Sequence, residues 1–448
     1  MNLPQAVLDY NKKMGSTKIS TLSRAKALHM KRFFSGSFGL DRMFGGGAAF
    51  KRIQLYFGAK SAGKNATMNQ MMAYNQRICR NCQKIMPEYW GSSDRWAIVL
   101  QHILGIERCQ CGNAQGRVYL FYDYEKTLSM DNEPKIIKIN YFHDKQTGEE
   151  INENDYNDTL IKLDELKEAK KLDTKAIAEL EYWLENITVT SEEQEQLGAQ
   201  DYIKRCGVIP EQLLVFAPEY LEDGIDSMRD MIKSKAIDGI IWDSLQAAIP
   251  KYVDDRSAED ATMGTEAKQN GILMRKISAA YAPTDIEDER EAYLPPVFLT
   301  AQVRANLGFL HAKDSYSGGK AVQHFISTAI EFKRGDFLNA SGVKAKKEET
   351  YYGQAVNILA DKNKIGAPQS KCSFNYYFKE SELFPVGFID YQDELVTIAV
   401  ENKIIQTGGG GNYSFKGDKI RGFDNLVAKV RTEPDFCAAI FTEVKSLI

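Results

Sequence analysis

The residues with the clearest chemistry are Gly58, Ala59, Lys60, Ser61, Ala62, Gly63, Lys64 and Asn65. An apolar run, Ile53 to Phe57, precedes them and reads as a buried strand; Ala66 to Ile78 follows and reads as a helix. Strand, glycine-bounded loop, lysine and helix together make a phosphate-binding P-loop. Its glycines let backbone N–H groups turn inward onto phosphate oxygens. The helix start at Ala66 adds a dipole that favours an anion, and Lys64 sets a positive charge on the terminal phosphates. One position departs from the pattern. A Ser or Thr hydroxyl after the lysine usually ligates Mg2+; here Asn65 stands there, and an amide oxygen is not the usual ligand. Nucleotide binding is expected from this stretch, and hydrolysis is a separate question.

Carboxylates belong at the ends of neighbouring strands. Arg117 to Asp123 reads as a buried strand ending in Asp123-Tyr124-Glu125, and Glu125 has the chemistry to orient or deprotonate a water. Asp238 to Ser244 is a second apolar strand ending in an acid, Asp243, placed to hold Mg2+. A different chemistry lies between these segments. Cys79-x-x-Cys82 and Cys109-x-Cys111 are separated by 26 residues, a spacing that suits a closed, structural Zn2+ site with four thiolate ligands.

These groups need elements to hold them. A chain of 448 residues, 43% hydrophobic and 26% charged, is ordinary for a soluble protein of two to four domains. No apolar run reaches membrane-spanning length, and Met1-Asn2-Leu3-Pro4 shows no leader pattern, so a cytoplasmic protein is expected. Seven cysteines outside a secretory context argue against a disulfide framework. The formal charge of −4 hides an uneven spread: Asp144 to Glu195 carries 16 acids and 6 bases, a net of −10, which leaves +6 on the remainder. That remainder is compatible with a polyanionic partner. Leu160, Leu163, Leu166, Ile177, Leu180 and Leu184 recur at helical spacing within the acidic stretch, and Thr190-Ser191-Glu192-Glu193 resembles a helix start, so residues 141–200 read as a helical hairpin. Leu213 to Ala217, Pro296 to Gln302, Ile326 to Arg334 and Tyr352 to Lys362 read as further strands, the last two as a pair; Asp226 to Ala236 and Gly271 to Ala280 read as helices. Val253 to Gly264 and Arg304 to Lys320 read as long flexible loops of functional length.

In this order the pieces resemble the RecA family, in its divergent bacteriophage branch. The resemblance rests on Ser35-Gly-Ser-Phe-Gly-Leu-Asp41, Asp123-Tyr-Glu125, Tyr202-Ile-Lys-Arg-Cys-Gly-Val208, Ile241-Trp-Asp-Ser244, Gln302-Val-Arg304, Gly318-Gly-Lys-Ala321 and, most specifically, Asp361-Lys-Asn-Lys-Ile-Gly-Ala-Pro368. It implies an α/β fold: a P-loop core with a mostly parallel sheet, two insertions and a small C-terminal α+β domain. The divisions are a 1–34 N-terminal polymerisation segment, a 35–394 core with a cysteine module at 79–116 and the acidic hairpin at 141–200, and a 395–448 domain. It further implies a DNA-dependent ATPase that uses ATP and Mg2+, forms filaments on single-stranded DNA, and pairs that strand with duplex DNA, with loader or single-strand-binding proteins as possible partners. The phosphates would lie on residues 58–66, the adenine on Tyr202, and Mg2+ on Asn65 and Asp243. Glu125 would activate water. Gln302 would sense the nucleotide, and Lys362 and Lys364 would act across the subunit boundary. DNA would lie against Met263, Gly264, Arg275, Arg304, Gly318, Gly319 and Lys320. Two rival readings share the P-loop: a hexameric helicase-like motor, and a nucleotide-gated DNA-binding filament with little hydrolysis, which Asn65 motivates.

Overall fold

The computed structural model describes residues 3–126, 135–145, 150–151, 159, 162–163, 167, 174–196, 199–251, 265–304, 315–316, 319–347 and 349–448. The chain divides into two compact units, Met1–Leu128 with Tyr202–Ile448, and Ser129–Asp201.

The larger unit is built on one eight-stranded sheet. Its strands are β1 (Ile53–Gly58), β2 (Tyr119–Asp123), β3 (Leu213–Phe216), β4 (Gly239–Asp243), β5 (Val297–Ala301), β6 (Thr328–Leu338), β7 (Gly353–Asn363) and β8 (Lys371–Tyr377). Their spatial order is β8-β7-β6-β1-β5-β4-β2-β3. Six strands, β6 through β3, run parallel, and β7 and β8 add an antiparallel edge. Parallel strands covered on both faces read as continuous apolar runs, which is why these strands were legible as such. The two faces alternate along each strand. Tyr56, Phe121, Ile241 and Phe298 share one apolar cluster with Met68, Met71 and Met72 of α2 (Lys64–Asn75). Leu55, Phe57, Tyr122, Ile240, Trp242 and Leu299 share the other with Ile225, Met228 and Ile232 of α3 (Leu221–Ser234) and Leu273, Met274 and Ile277 of α4 (Thr265–Ala280). Each such fully buried side chain contributes on the order of 1.5–3 kcal/mol. This is the mixed α/β architecture that the resemblance implies.

A short helix, α1 (Phe38–Phe44), and a C-terminal α+β group also belong to the unit. The group contains helices Tyr391–Glu401, Phe423–Thr432 and Pro434–Val444 and a three-stranded hairpin sheet, Gln406–Gly408, Asn412–Phe415 and Asp418–Arg421. Leu395, Leu426, Val430, Ile440 and Val444 form its core.

The smaller unit differs from the helical hairpin expected at 141–200. Lys135–Asp144 is the centre of a three-stranded antiparallel sheet, flanked by Glu150–Ile151 and Ile187–Gln196. The helix Thr174–Glu185 carries Ile177, Leu180 and Leu184 as expected, but Thr190 and Ser191 lie inside a strand rather than at a helix start. β-branched Ile187, Thr188, Val189 and Thr190 favour extended backbone, and pairing with Lys135–Asp144 outweighs a local capping signal; the register sets Lys138 opposite Glu193. Leu160 and Leu166 lie outside the described residues.

Candidate nucleotide-binding site

The loop between β1 and α2 is shaped by its neighbours. A Cβ on Gly58 would sit 2.2 Å from the Phe332 carbonyl oxygen of β6, so only glycine fits there. Gly63 takes φ +93° against the Val356 side chain of β7. The Gln354 side-chain amide donates to the Ser61 carbonyl at 2.7 Å and the Arg334 guanidinium to that of Lys60 at 3.3 Å. Lys64 Nζ donates to the Gly58 and Ala59 carbonyls at 2.9 and 2.7 Å. Burial pulls its pKa below the ordinary lysine value, against the opposing pull of Asp243 and Glu125.

Asp243 ends β4 beside this loop and is buried. The Thr300 hydroxyl of β5 donates to its Oδ1, and Asn65 Nδ2 donates to its Oδ2 at 3.0 Å. Burial, with the nearby charges of Glu125 and Asp123, holds its carboxyl above the ordinary aspartate value, while the Thr300 and Asn65 hydrogen bonds oppose the rise. The chain past β2 stays attached to the end of β4: Tyr124 and Glu125 N–H groups reach the Asp243 carbonyl at 2.9 and 3.3 Å. Ser244 Oγ donates to Glu125 Oε1 at 2.6 Å. Gln302, one residue past β5, is fixed through its backbone, donating from N–H to Gln246 Oε1 (3.2 Å) and accepting from Gln246 Nε2 (2.9 Å). P-loop, Glu125, Asp243 and Gln302 therefore all stand at the C-terminal edge of the parallel strands, where open α/β sheets bind ligands.

A family model described as the RecA N-terminal domain matches residues 173–382. Protein RecA of Malacoplasma penetrans (strain HF-2) is 26% identical over 254 residues, covering 55% of this chain and 67% of that protein. Over these residues the chain is similar to RecA proteins. The stretch matched by the family model includes β4, β5, β6 and β7, and so Asp243, Gln302 and the Lys362–Lys364 pair; the P-loop lies before it.

The lysine pair is not at the P-loop edge of the sheet. Ala329 of β6 is level with both Leu55 of β1 and Lys362 of β7, whereas Gly58 is level with Phe332. Lys362 thus lies two strands away from the P-loop strand and about 10 Å back along it, at 3.3 Å per residue. Its ammonium bonds the Gln323 carbonyl, and that of Lys364 the His324 carbonyl at 3.4 Å, at the C-terminal end of helix Gly319–Phe325. Burial and then the Lys364 charge bring the Lys362 pKa down to about 8.

Tyr202 shares a 2.5 Å hydroxyl–hydroxyl hydrogen bond with Tyr376. Tyr376 of β8 is the cross-strand partner of Gln354, which reaches Ser61. Burial raises the Tyr202 pKa well above its ordinary value. Arg275 on α4 and Gly319 and Lys320 at the start of the following helix are exposed. A Cβ on Gly319 would sit 2.9 Å from that of Ala267, so the chain enters both helices at neighbouring points. The backbone of Val303–Arg304 pairs antiparallel with Ser315–Tyr316. Met263, Gly264, Gly318 and the Arg304 side chain lie outside the described residues.

The four cysteine sulfurs of Cys79, Cys82, Cys109 and Cys111 lie within 4.8 Å of one another, a group that can hold a metal ion. Two further groups carry little signal in the sequence: Thr300, a lone hydroxyl in the apolar run Val-Phe-Leu-Thr-Ala, and Gln354, which has none because its contact with Ser61 depends on β7 lying beside the P-loop. Among the described residues no helix is long and apolar enough to cross a membrane.

Proposed function

We propose that this chain is an ATP-dependent recombinase that assembles as a helical filament on single-stranded DNA and promotes pairing and strand exchange with homologous duplex. The observation that carries the reading is the separation of the nucleotide machinery between two ends of one sheet. The P-loop, Glu125 and Asp243 stand at the C-terminal edge, and Lys362 and Lys364 stand back toward the other end. Lysines placed there serve a nucleotide held by a neighbouring subunit, so nucleotide binding fastens one subunit to the next.

Within the site, Lys64 exchanges two neutral carbonyl acceptors for phosphate oxygens, a charge-assisted and stronger bond. Glu125, oriented by Ser244, keeps its second oxygen to position an attacking water. Asn65 Oδ1 and Asp243 are the residues that would hold Mg2+, since each Asp243 oxygen retains acceptor capacity beyond its bond from Thr300 or Asn65. Bound there, the ion neutralises charge on the phosphates. Tyr202 lies on the adenine side, and Gln302 reports nucleotide state to the chain that follows it. Arg275, Arg304, Gly319 and Lys320, with Met263, Gly264 and Gly318, contact the DNA backbone without reading sequence. Cys79, Cys82, Cys109 and Cys111 hold one Zn2+. The protein works in a bacterial host's cytoplasm as part of a phage recombination system, alongside proteins that load it on DNA.

A second reading, a nucleotide-gated DNA-binding filament that scarcely hydrolyses, is favoured by the Asn65–Asp243 bond, which places an N–H group where a metal-facing hydroxyl is usual. Strand-exchange assays with ATP and with a non-hydrolysable analogue, read beside electron micrographs, test both. Filaments with exchange under ATP support the first reading. Filaments with DNA-independent, negligible phosphate release support the second. Rings, or a chain that stays monomeric with DNA, Mg2+ and ATP in excess, would sink the recombinase assignment.

A further inference from the structure

The cysteine module sits at a junction. Its first cysteine comes four residues after the end of α2, and its last segment runs directly into β2. Two passes of chain cross there. Cys79 and Gly116 form an antiparallel bridge, Cys109 N–H donates to the Ile85 carbonyl at 2.7 Å, and Ile85 N–H to that of Glu107 at 2.9 Å. A knuckle turn closes on Cys79, with Cys79 N–H reaching the Lys84 carbonyl (2.7 Å) and Gln83 N–H reaching that of Cys79 (2.9 Å). The buried Arg117 guanidinium donates to Asn75, the last residue of α2, and to Gln83 of the knuckle.

The other side of the module faces the C-terminal group. Ile78 and Ile85 are buried with Tyr74 of α2 and with Val99 and Leu100; Ile103, Leu104 and Tyr391 pack against that cluster. The same Ile103, Leu104 and Tyr391 also pack against the core of Leu395, Ile440 and Val444. Arg77 anchors the arrangement: it bonds Asp94 through two nitrogens at 2.6 and 2.7 Å, reaches the Gly207 carbonyl, and lies over the Tyr89 and Trp96 rings.

The sulfur spacing suits a single tetrahedral ion. A tetrahedral Zn2+ with bonds of about 2.3 Å sets its sulfurs about 3.8 Å apart, close to the observed spread of up to 4.8 Å. The 3.4 Å between Cys82 and Cys109 is far beyond a disulfide bond of about 2.05 Å. Four soft thiolates in so small a volume suit a single thiophilic ion better than a bridged cluster.

We infer that the ion at Cys79, Cys82, Cys109 and Cys111 is a brace, which locks the C-terminal end of α2 to the start of β2 and, through Ile78 and Ile85, seats helix Tyr391–Glu401 on the core. Without the ion, four thiolates repel or protonate, the knuckle loosens, and Ile85 loses the fixed backbone that holds it in the shared cluster. The inference takes the Zn2+ reading above as its premise and adds what the ion holds together.

The test uses the full chain, purified in reductant without chelator. Metal analysis is expected to give one zinc per chain, released by a thiol-specific mercurial. Hydrogen exchange before and after stripping is expected to show lost protection at residues 77–85 and across Tyr391–Glu401, no change in the β6–β7 pair, and a thermal midpoint lower by at least about 5 °C. Restoring zinc should reverse all three. The double variant Cys82→Ser/Cys111→Ser, which alters the two half-buried thiols only, should match the stripped protein. Bound zinc whose removal leaves Tyr391–Glu401 protected overturns the brace while keeping the metal site. Absence of stoichiometric zinc overturns both and leaves the recombinase reading to its own assays.

Discussion

Asn65 condenses the residue-scale question. A hydroxyl carries donor and acceptor on one oxygen, whereas an amide separates them: Nδ2 donates to Asp243 and Oδ1 remains for another partner. Asn65→Thr should keep nucleotide affinity and raise DNA-dependent phosphate release. Asn65→Ala leaves Asp243 Oδ2 without its donor and should weaken Mg2+-dependent nucleotide binding by about tenfold, near 1.4 kcal/mol. Fluorescent-nucleotide titrations with and without Mg2+ separate the two outcomes. Lys362 supplies a pH dependence. Its ammonium deprotonates near pH 8 in the free chain because burial and Lys364 disfavour the charge. If that charge faces a neighbour's triphosphate, nucleotide-driven assembly should weaken as pH rises from 7 to 9. Lys362→Arg, which stays charged, should flatten the profile; a wild-type profile already flat by light scattering would remove Lys362 from the interface.

At the scale of elements, the start of helix Phe38–Phe44 is fastened by a buried carboxyl from helix Tyr391–Glu401. Glu394 accepts from the Ser37 hydroxyl and from the Phe38 and Gly39 N–H groups at 3.2 and 3.1 Å. Burial lifts its pKa to about 8, although those bonds oppose the rise. A carboxyl raised in the folded state adds stability in full below its unfolded pKa, and this is lost as pH rises through the folded value. The thermal midpoint should therefore fall between about pH 5 and 8, and Glu394→Gln should shrink that slope; a midpoint that climbs over this window would contradict it. Gly58 tests the strand beneath the P-loop. Gly58→Ala drives a Cβ into the Phe332 carbonyl, with an expected cost of about 1–3 kcal/mol and loss of nucleotide binding, measured by denaturant unfolding and nucleotide titration.

For the whole molecule, the division into two units makes a separate prediction. Ser129–Asp201 is compact in itself, with its own three-stranded sheet. Replacing it by a short Gly-Ser linker should leave nucleotide affinity unchanged. Because this segment is strongly net negative while the rest of the chain is net positive, its removal should also speed loading onto single-stranded DNA if it competes with DNA for basic surface. Stopped-flow loading rates equal to those of the full chain would refute that competition.

Residue types and their order were enough for the parts whose signal is local. β1, β2, β4 and β5 are largely apolar runs because both faces of a parallel sheet are covered, and the P-loop and the cysteine pairs stand out by residue type and spacing. Tertiary structure alone decided what depends on distant neighbours. It set Lys362 back from its own P-loop, because strand register is a property of the pairing and not of either strand. It turned the end of the acidic stretch into a strand, because Lys135–Asp144 supplied the partner that Ile187–Gln196 needed. It also placed Thr300, Gln354 and Tyr391 where they act, since a lone polar or aromatic side chain acquires a role only from what the fold packs against it.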